Sequence, residues 1–197
     1  ISEVVTKGLN SNVEFIDSGN EWLEKIPSTW NVTKLLNILE QKVTDGPHES
    51  LTLHDEGIPF ISAEAIKNDK IDFNLRRGNI SKDDYEICCK KYIPKINDIY
   101  MVKSGATTGN LAIVETDEIF TIWSPLAVIR AKSSYNYKYL FYFLKSDNFQ
   151  KQVQLNWSYG TQQNLSMRVL EKLSIAIPPY KEQVDMVELL DNKTSKI

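Results

Sequence analysis

Short apolar runs separated by glycine and proline turns constrain the fold of this chain more than any other feature. Five runs of three or four residues have the composition of buried strands, at positions 58–61, 99–102, 111–114, 127–130 and 175–177. A helical pattern over 139–144 interrupts them, so strands and helices alternate irregularly. We therefore predict an α+β fold: a compact mixed domain with a twisted, largely antiparallel sheet and short helices.

Turn and cap signals mark the boundaries of several elements. Asp45-Gly46-Pro47 is typical of a tight turn. The run Ser81-Lys82-Asp83-Asp84 places a hydroxyl at a helix N-cap and a carboxylate three residues later, which is the pattern of a capping box. The loop over 103–110 contains two glycines between two strand patterns, and it predicts a hairpin.

The two ends of the chain differ from the main domain, which we assign to residues 30–178. Residues 1–29 lack sustained periodicity and predict a linker, with Trp22, Leu23 and Ile26 as possible anchors. The chain begins at Ile1 rather than at a methionine, so we expect a fragment of a longer protein.

Residues 179–197 predict a helix that continues beyond the end of the chain. Its residues Val187, Leu190, Thr194 and Ile197 recur at steps of three and four, and Val187, Leu190 and Ile197 are the candidate seam of a coiled-coil spacer. The same spacing is equally typical of an amphipathic helix that packs on its own domain.

Composition excludes several classes of protein. A formal net charge of −3 argues against a nonspecific nucleic-acid coat. The only cysteines, Cys88 and Cys89, are adjacent, which argues against a disulfide-stapled secreted scaffold. The sequence has no apolar run of membrane-spanning length and no visible signal peptide, so we expect a cytoplasmic protein.

Two motifs resemble those of nucleotide-binding and methyl-transfer sites but lack residues that these sites require. The loop from Gly105 to Asn110 has three residues between its glycines and lacks the Lys-Ser/Thr that a Walker loop needs. The run Ile177-Pro178-Pro179-Tyr180 has isoleucine where an amino-methyltransferase needs a polar side chain. No Gly-x-Gly turn occurs in the sequence. We therefore predict no catalytic residue.

Metal-dependent chemistry has equally little support. Glu40-Gln41-Lys42 supplies the Glu-x-Lys half of a nuclease site, but such strings are short, and an acidic partner upstream would be needed to hold Mg²⁺. His48 and His54, with their neighbouring aspartates, match no standard zinc spacing. We predict no metal site.

Loops rich in hydrogen-bonding side chains remain, at 76–79, 103–110 and 156–168. Arginine pairs with guanine edges, asparagine and glutamine pair with adenine edges, and lysine, serine and threonine contact phosphates. Basic segments at 67–103 and 130–172, with net charges of +3 and +5, would reinforce such a surface if they converged. Ordinary solvated surface is the alternative.

A series of motifs runs through the chain in a recognisable order. They are Ile26-Pro27-Ser28-Thr29-Trp30, Asp45-Gly46-Pro47-His48, Gly57-Ile58-Pro59-Phe60-Ile61, Asn97-Asp98-Ile99, Ser104-Gly105-Ala106-Thr107-Thr108-Gly109, Gly160-Thr161-Gln162-Gln163-Asn164-Leu165-Ser166 and Pro178-Pro179-Tyr180-Lys181-Glu182-Gln183. The series resembles a target recognition domain of the specificity (S) subunit of type I restriction–modification enzymes. Residues 1–29 resemble the tail of the helical region that precedes such a domain.

The resemblance implies a non-catalytic, DNA-binding subunit that reads one half of a bipartite target in double-stranded DNA. It implies partners: methyltransferase (M) subunits, restriction (R) subunits and the rest of the specificity subunit, joined through long helices. S-adenosylmethionine, ATP and Mg²⁺ would bind those partners, so we expect no cofactor here. The candidate DNA-binding residues are Arg76, Arg77, Lys103, Ser104, Thr107, Thr108, Gln162, Gln163, Asn164 and His48.

Such subunits usually contain two recognition domains, and this chain contains one, so we expect the distal half of a subunit. Two alternatives remain open. One is a stand-alone Mg²⁺-dependent nuclease that uses Glu40 and Lys42. The other is a protein-interaction module that does not bind DNA.

Overall fold

A computed structural model describes residues 1–159 and 163–194, with the backbone only for Ser158, Tyr159 and Gln163. The chain forms two compact units. Unit 1 contains Ile1–Gln41, Ala131–Asn156 and the chain from Val169 onward, and unit 2 contains Lys42–Arg130 and Trp157–Arg168. This grouping does not test the domain boundaries after residues 29 and 178, which stay predictions.

The helices of the described residues are short. In chain order they are α1 (Ser2–Lys7), α2 (Lys82–Cys89), α3 (Tyr137–Lys145), α4 (Asp147–Leu155), α5 (Met167–Leu170) and α6 (Tyr180–Thr194). The predicted capping box is confirmed at the start of α2, where Ser81 Oγ accepts a hydrogen bond from Asp84 N at 3.1 Å. The predicted helix at 139–144 lies within α3, which Asn136 caps by accepting from two backbone N–H groups.

The strands are also short. They are β1 (Phe15–Asp17), β2 (Lys25–Pro27), β3 (Asn31–Lys34), β4 (Thr44–Asp45), β5 (Ile58–Ile61), β6 (Ile66–Lys67), β7 (Lys70–Ile71), β8 (Gly78–Ile80), β9 (Ile99–Val102), β10 (Leu111–Ile113), β11 (Thr121–Ile122), β12 (Leu126–Ile129), β13 (Ser158–Tyr159), β14 (Gln163–Asn164) and β15 (Ser174–Ile177). All five predicted strand runs therefore correspond to strands, with ends shifted by one residue in places.

In unit 2, β9 and β12 lie at the centre of an antiparallel sheet with the order β10-β9-β12-β4. The predicted hairpin is confirmed, because Leu111 of β10 pairs with Met101 of β9. A second sheet, β11-β5-β8, contains one parallel pair, β5 with β11. The mixed, largely antiparallel architecture is as predicted. The single sheet is wrong, because the strands pair in separate groups of two to four and form several small sheets among the described residues.

Unit 1 combines two short antiparallel strand pairs, β1 with β2 and β3 with β15, with the packed helices α1, α3, α4 and α6. The N-terminal segment takes part in this packing. Two of its predicted anchors, Leu23 and Ile26, are buried, and Trp22 is half-buried. The hydroxyl of Tyr139 in α3 donates to Ala176 O of β15 at 2.8 Å, which ties the helix to the strand.

Helix α6 packs against α3 of the same unit. Val187 and Leu190 are buried, and Asp191 accepts a hydrogen bond from the Tyr142 hydroxyl at 2.7 Å. Over Tyr180–Thr194, a helix packed on its own unit therefore accounts for the spacing. The third seam residue, Ile197, lies outside the described residues, and the coiled-coil spacer stays a prediction.

A buried carboxylate fixes one end of the central sheet in unit 2. Asp98, just before β9, accepts hydrogen bonds from Arg130 Nε at 2.6 Å and from Arg130 Nη2 at 2.7 Å. Lys95 N and the hydroxyl of Tyr92 also donate to Asp98. Burial, together with Tyr100 and Asp98, raises the pKa of Tyr92 above its ordinary value, so this hydroxyl remains a donor. These donors compensate the buried charge.

Replacing Asp98 with asparagine should destabilise unit 2 strongly. The change leaves the guanidinium of Arg130, which is 11% exposed, without its counter-charge. Breaking a buried pair in this way costs about 3–5 kcal/mol. Urea unfolding measures the difference, and Asp117→Asn, at an exposed position, is the matched control with an expected change below about 0.5 kcal/mol. Equal unfolding midpoints for the two variants would contradict the role of this pair.

Candidate nucleic-acid interface

The segment after β4 packs tightly against the end of β11. A Cβ atom added to Gly46 would lie 1.9 Å from Ile122 O, so only glycine fits there. Ser124 N donates to Pro47 O at 3.2 Å, which fixes the next residue against the same part of the chain. The tight turn predicted at Asp45-Gly46-Pro47 is wrong, because Asp45 pairs with Ala127 of β12 and Gly46 and Pro47 continue as irregular chain; this packing still brings Asp45 and His48 to a defined place in unit 2.

Asp45 is the centre of a cluster of basic side chains. Its carboxylate is fully buried, and Lys91 Nζ donates to its Oδ1 and, at 2.8 Å, to Gly46 O. Its other oxygen, Oδ2, lies 3.3 Å from Lys103 Nζ and 3.2 Å from His48 Nε2. A buried carboxylate is unfavourable unless cations compensate it, and here the cations outnumber the acid. We call Asp45, His48, Lys91 and Lys103 the Asp45 cluster.

The members of the Asp45 cluster differ in solvent exposure, and therefore in whether they can contact a ligand. The side chains of Lys91 and His48 are 41% and 65% exposed, so both can contact a ligand. That of Lys103 is 11% exposed, so its ammonium group mainly compensates Asp45. Lys103, the lysine predicted to bind phosphate, therefore has a supporting position in the Asp45 cluster, and Lys91 is the more accessible cation.

Two of the predicted polar loops meet beside this cluster. Leu165 N donates to Lys103 O at 2.8 Å, and Ser104 forms an isolated β-bridge with Asn164. Within the loop, Thr108 Oγ1 donates to Gly105 O at 2.7 Å, whereas Thr107 is exposed. The fold therefore brings the start of the 103–110 loop next to Asn164, which is exposed, and Leu165, which is buried. Gln162 and the side chain of Gln163 lie outside the described residues.

The predicted arginines occupy a neighbouring segment. The guanidinium carbon of Arg77 lies 3.8 Å from the centroid of the Trp123 ring. Trp123 precedes Ser124 and Pro125, and Pro125 O accepts a hydrogen bond from Lys103 N at 2.8 Å. The segment from Trp123 to Pro125 therefore connects Arg77 to the Asp45 cluster. Arg76 is exposed, and its Nη1 donates to Phe73 O at 3.1 Å.

Sequence reasoning missed three residues of this surface: Asp45 as a charge centre, Lys91 and Trp123. Asp45 was assigned to a turn and weighed as a metal ligand beside His48, and Lys91 was one base among nine in a basic segment. Asp45 lies in the run Thr44-Asp45-Gly46-Pro47-His48, where the sequence does not mark a buried position that would require cations from elsewhere in the chain. Periodicity carries no information about which cations these are.

The structure offers no support for metal chemistry in the part of the chain that it describes. No group of three or more histidine, cysteine, aspartate or glutamate side chains is placed to hold a metal ion there. Glu40 and Lys42, the candidate nuclease pair, are both exposed. Over the same residues, no helix is long and apolar enough to cross a membrane.

Residues 27–197 match the protein family described as the type I restriction modification DNA specificity domain. The chain belongs to this family. The match covers nearly all of the sequence, including the segments that form the Asp45 cluster and the adjacent loops. It confirms the resemblance seen in the motif series.

Three solved structures have a similar fold. One is reported under complex assembly and conformational transition of the type I R-M system, with a TM-score of 0.64 and 18% identity. The others are the HsdS subunit from Thermoanaerobacter tengcongensis (0.61, 19%) and the type I restriction–modification S subunit from M. genitalium (0.58, 17%). They cover 92%, 92% and 93% of this chain, whereas this chain spans only 41%, 40% and 40% of theirs.

Adding a methyl group at position 46 should displace the segment that contains Asp45 and His48. In Gly46→Ala the new Cβ would overlap the backbone of Ile122, which cannot move without disturbing β11. We expect a loss of roughly 2 kcal/mol or more in the free energy of unfolding, as in other overpacked sites. Gly19→Ala is a control for the added methyl group, because nothing lies within 4 Å of a Cβ there, although its φ of 66° adds some strain. A Gly46→Ala variant no less stable than Gly19→Ala would contradict this packing.

Proposed function

We propose that this chain recognises one half of a bipartite DNA target as part of a type I specificity subunit. The observation that carries the proposal is the meeting of two polar loops at the Asp45 cluster, within a chain of the DNA specificity domain family. The cluster supplies accessible cations, and the loops supply hydrogen-bonding side chains. Together these are the two components of a DNA-reading surface.

The proposed division of labour follows from exposure. Lys91 and His48 contact phosphates, because the ammonium group of the first and the imidazole of the second are accessible beside a carboxylate that orients them. Thr107 and Asn164 are exposed on the adjoining loops and contact bases or the backbone. Ser104 and Thr108 are half-buried, and Thr108 is occupied by a bond within its own loop, so their role is to shape the surface.

The proposal extends to the partners of the chain. The methyltransferase and restriction subunits perform the chemistry and bind S-adenosylmethionine, ATP and Mg²⁺, while this chain is non-catalytic and directs them to the target. The helix that begins at Tyr180 leads towards the spacer between half-sites. Support for this part comes from family membership.

The nuclease alternative is less well supported. It requires an acidic partner for Glu40 and Lys42, and both residues are exposed and outside any metal-binding group among the described residues. Incubating the purified protein with duplex DNA and Mg²⁺ distinguishes the two functions. Cleavage by this chain alone would support the nuclease.

The full-length protein that contains this chain, assembled with its partner subunits, should select one defined sequence from randomised duplex DNA. We expect a bipartite motif in which this chain accounts for one half. Selection followed by sequencing measures the preference, and methylation mapping in the source strain provides an independent reading. If the selection enriches no sequence and the methylation map shows no motif, the proposed function is ruled out.

Removing the accessible cation should weaken DNA binding without changing its sequence preference. Lys91→Ala deletes one phosphate contact, so the slope of log K against log salt concentration should decrease by about one unit. Lys90→Ala is the matched control, because Lys90 is the exposed neighbour and makes no ion pair within the described residues. Binding measured from 50 to 300 mM salt gives both slopes. Equal slopes for the two variants would remove Lys91 from the interface.

A further inference from the structure

Arg77 is fixed at both its backbone and its side chain. Its backbone N donates to Phe60 O at 2.9 Å, next to the paired residues Phe60 and Gly78 of β5 and β8. Its guanidinium carbon lies 3.8 Å from the centroid of the Trp123 ring, a distance that places the planar group over the ring face. The plane of the guanidinium is therefore set before any ligand arrives.

The stacked guanidinium of Arg77 keeps its N–H donors available. Within the described residues, neither a carboxylate nor a carbonyl oxygen accepts a hydrogen bond from this side chain, which is exposed. The adjacent Arg76 differs, because its Nη1 donates to Phe73 O. Two neighbouring arginines with the same charge thus differ in what they can offer to a ligand.

Tryptophan at position 123 lowers the stability of the fold unless its ring face makes a contact that compensates. The ring packs against the buried cluster of Phe60, Ile80 and Cys88, and its Nε1 is buried without a hydrogen-bond partner in the described part of the structure. A buried, unpaired N–H is destabilising, and the smaller phenylalanine ring would not bring one into the site. Tryptophan, however, gives the strongest cation–π surface for an arginine.

We propose that Arg77 reads a guanine in the DNA half-site, with Trp123 as its positioning residue; the inference rests on the proposed function. Guanine presents O6 and N7 side by side in the major groove, and the guanidinium fork meets both acceptors in one plane. A phosphate accepts hydrogen bonds from many directions, for which a flexible lysine such as Lys91 is sufficient. Fixing the plane of Arg77 therefore adds discrimination at a base edge.

The test uses the full-length protein with its partner subunits and a set of duplexes in which each half-site position is varied. Arg77→Ala should lower the preference for a G·C pair at one position by roughly 5- to 150-fold and leave the other positions unchanged. Arg76→Ala is the matched control and should weaken binding to all sequences alike. Arg77→Lys should lose the same preference with a smaller fall in overall affinity, because it keeps the charge.

Trp123→Phe tests the positioning role. It should reduce the preference at the same position as Arg77→Ala while a thermal melt shows that the variant remains folded, since removal of the unpaired N–H offsets part of the lost packing. An undiminished guanine preference in Trp123→Phe would overturn the positioning role.

Two further outcomes would overturn the guanine assignment: an unchanged preference in Arg77→Ala, or a uniform loss across all sequences, which would make Arg77 a phosphate contact. A wild-type protein that selects no sequence would instead overturn the proposed function itself.

Discussion

The antiparallel register between β9 and β12 determines where the charged side chains of unit 2 lie. It pairs Ile99 with Ile129 at one end and Val102 with Leu126 at the other. The first pairing leaves Asp98 beside Arg130, and the second leaves Lys103 beside Pro125 and Asp45. A shift by one residue would turn every side chain of β9 to the other face and separate both groups. One short ladder therefore positions the Asp98–Arg130 pair at one end and the Asp45 cluster at the other.

The two buried aspartates of unit 2 differ in how their charges are compensated. Asp98 is surrounded by donors from Arg130, Tyr92 and Lys95, and its charge is satisfied internally. Asp45 is also buried, but the ammonium groups beside it exceed its charge and two of its basic neighbours remain accessible. The result is a locally positive surface on a chain whose net charge is −3. Local arrangement, rather than overall charge, is what would attract a polyanion here.

Sequence reasoning was successful where the interactions are local. The hairpin of β9 and β10 and the cap of α2 depend on residues within a few positions of one another, and both were predicted. The turn predicted at Gly46 is absent, because Asp45 pairs with Ala127, which is remote in sequence. The Asp45 cluster was not, because Lys91 lies 46 residues from Asp45 and only the tertiary fold brings them together. The seam spacing of α6 allowed two interpretations for a related reason. The periodic spacing of apolar residues shows that one face of the helix is covered, but it does not show by what. The surface that covers it is α3, which is remote in sequence.

The two units alternate along the sequence, and this affects the outcome of a genetic exchange. Unit 2 is encoded in two stretches, Lys42–Arg130 and Trp157–Arg168, separated by a stretch of unit 1. A genetic exchange that replaced only the longer stretch would keep the parental Asn164 and Leu165, whose backbones pair with the incoming positions 104 and 103. Those hydrogen bonds are made by backbone atoms, so they do not depend on which side chains the exchange brings in. An exchange of the longer stretch alone would therefore replace the Asp45 cluster and the 103–110 loop together while it keeps their attachment to the second stretch.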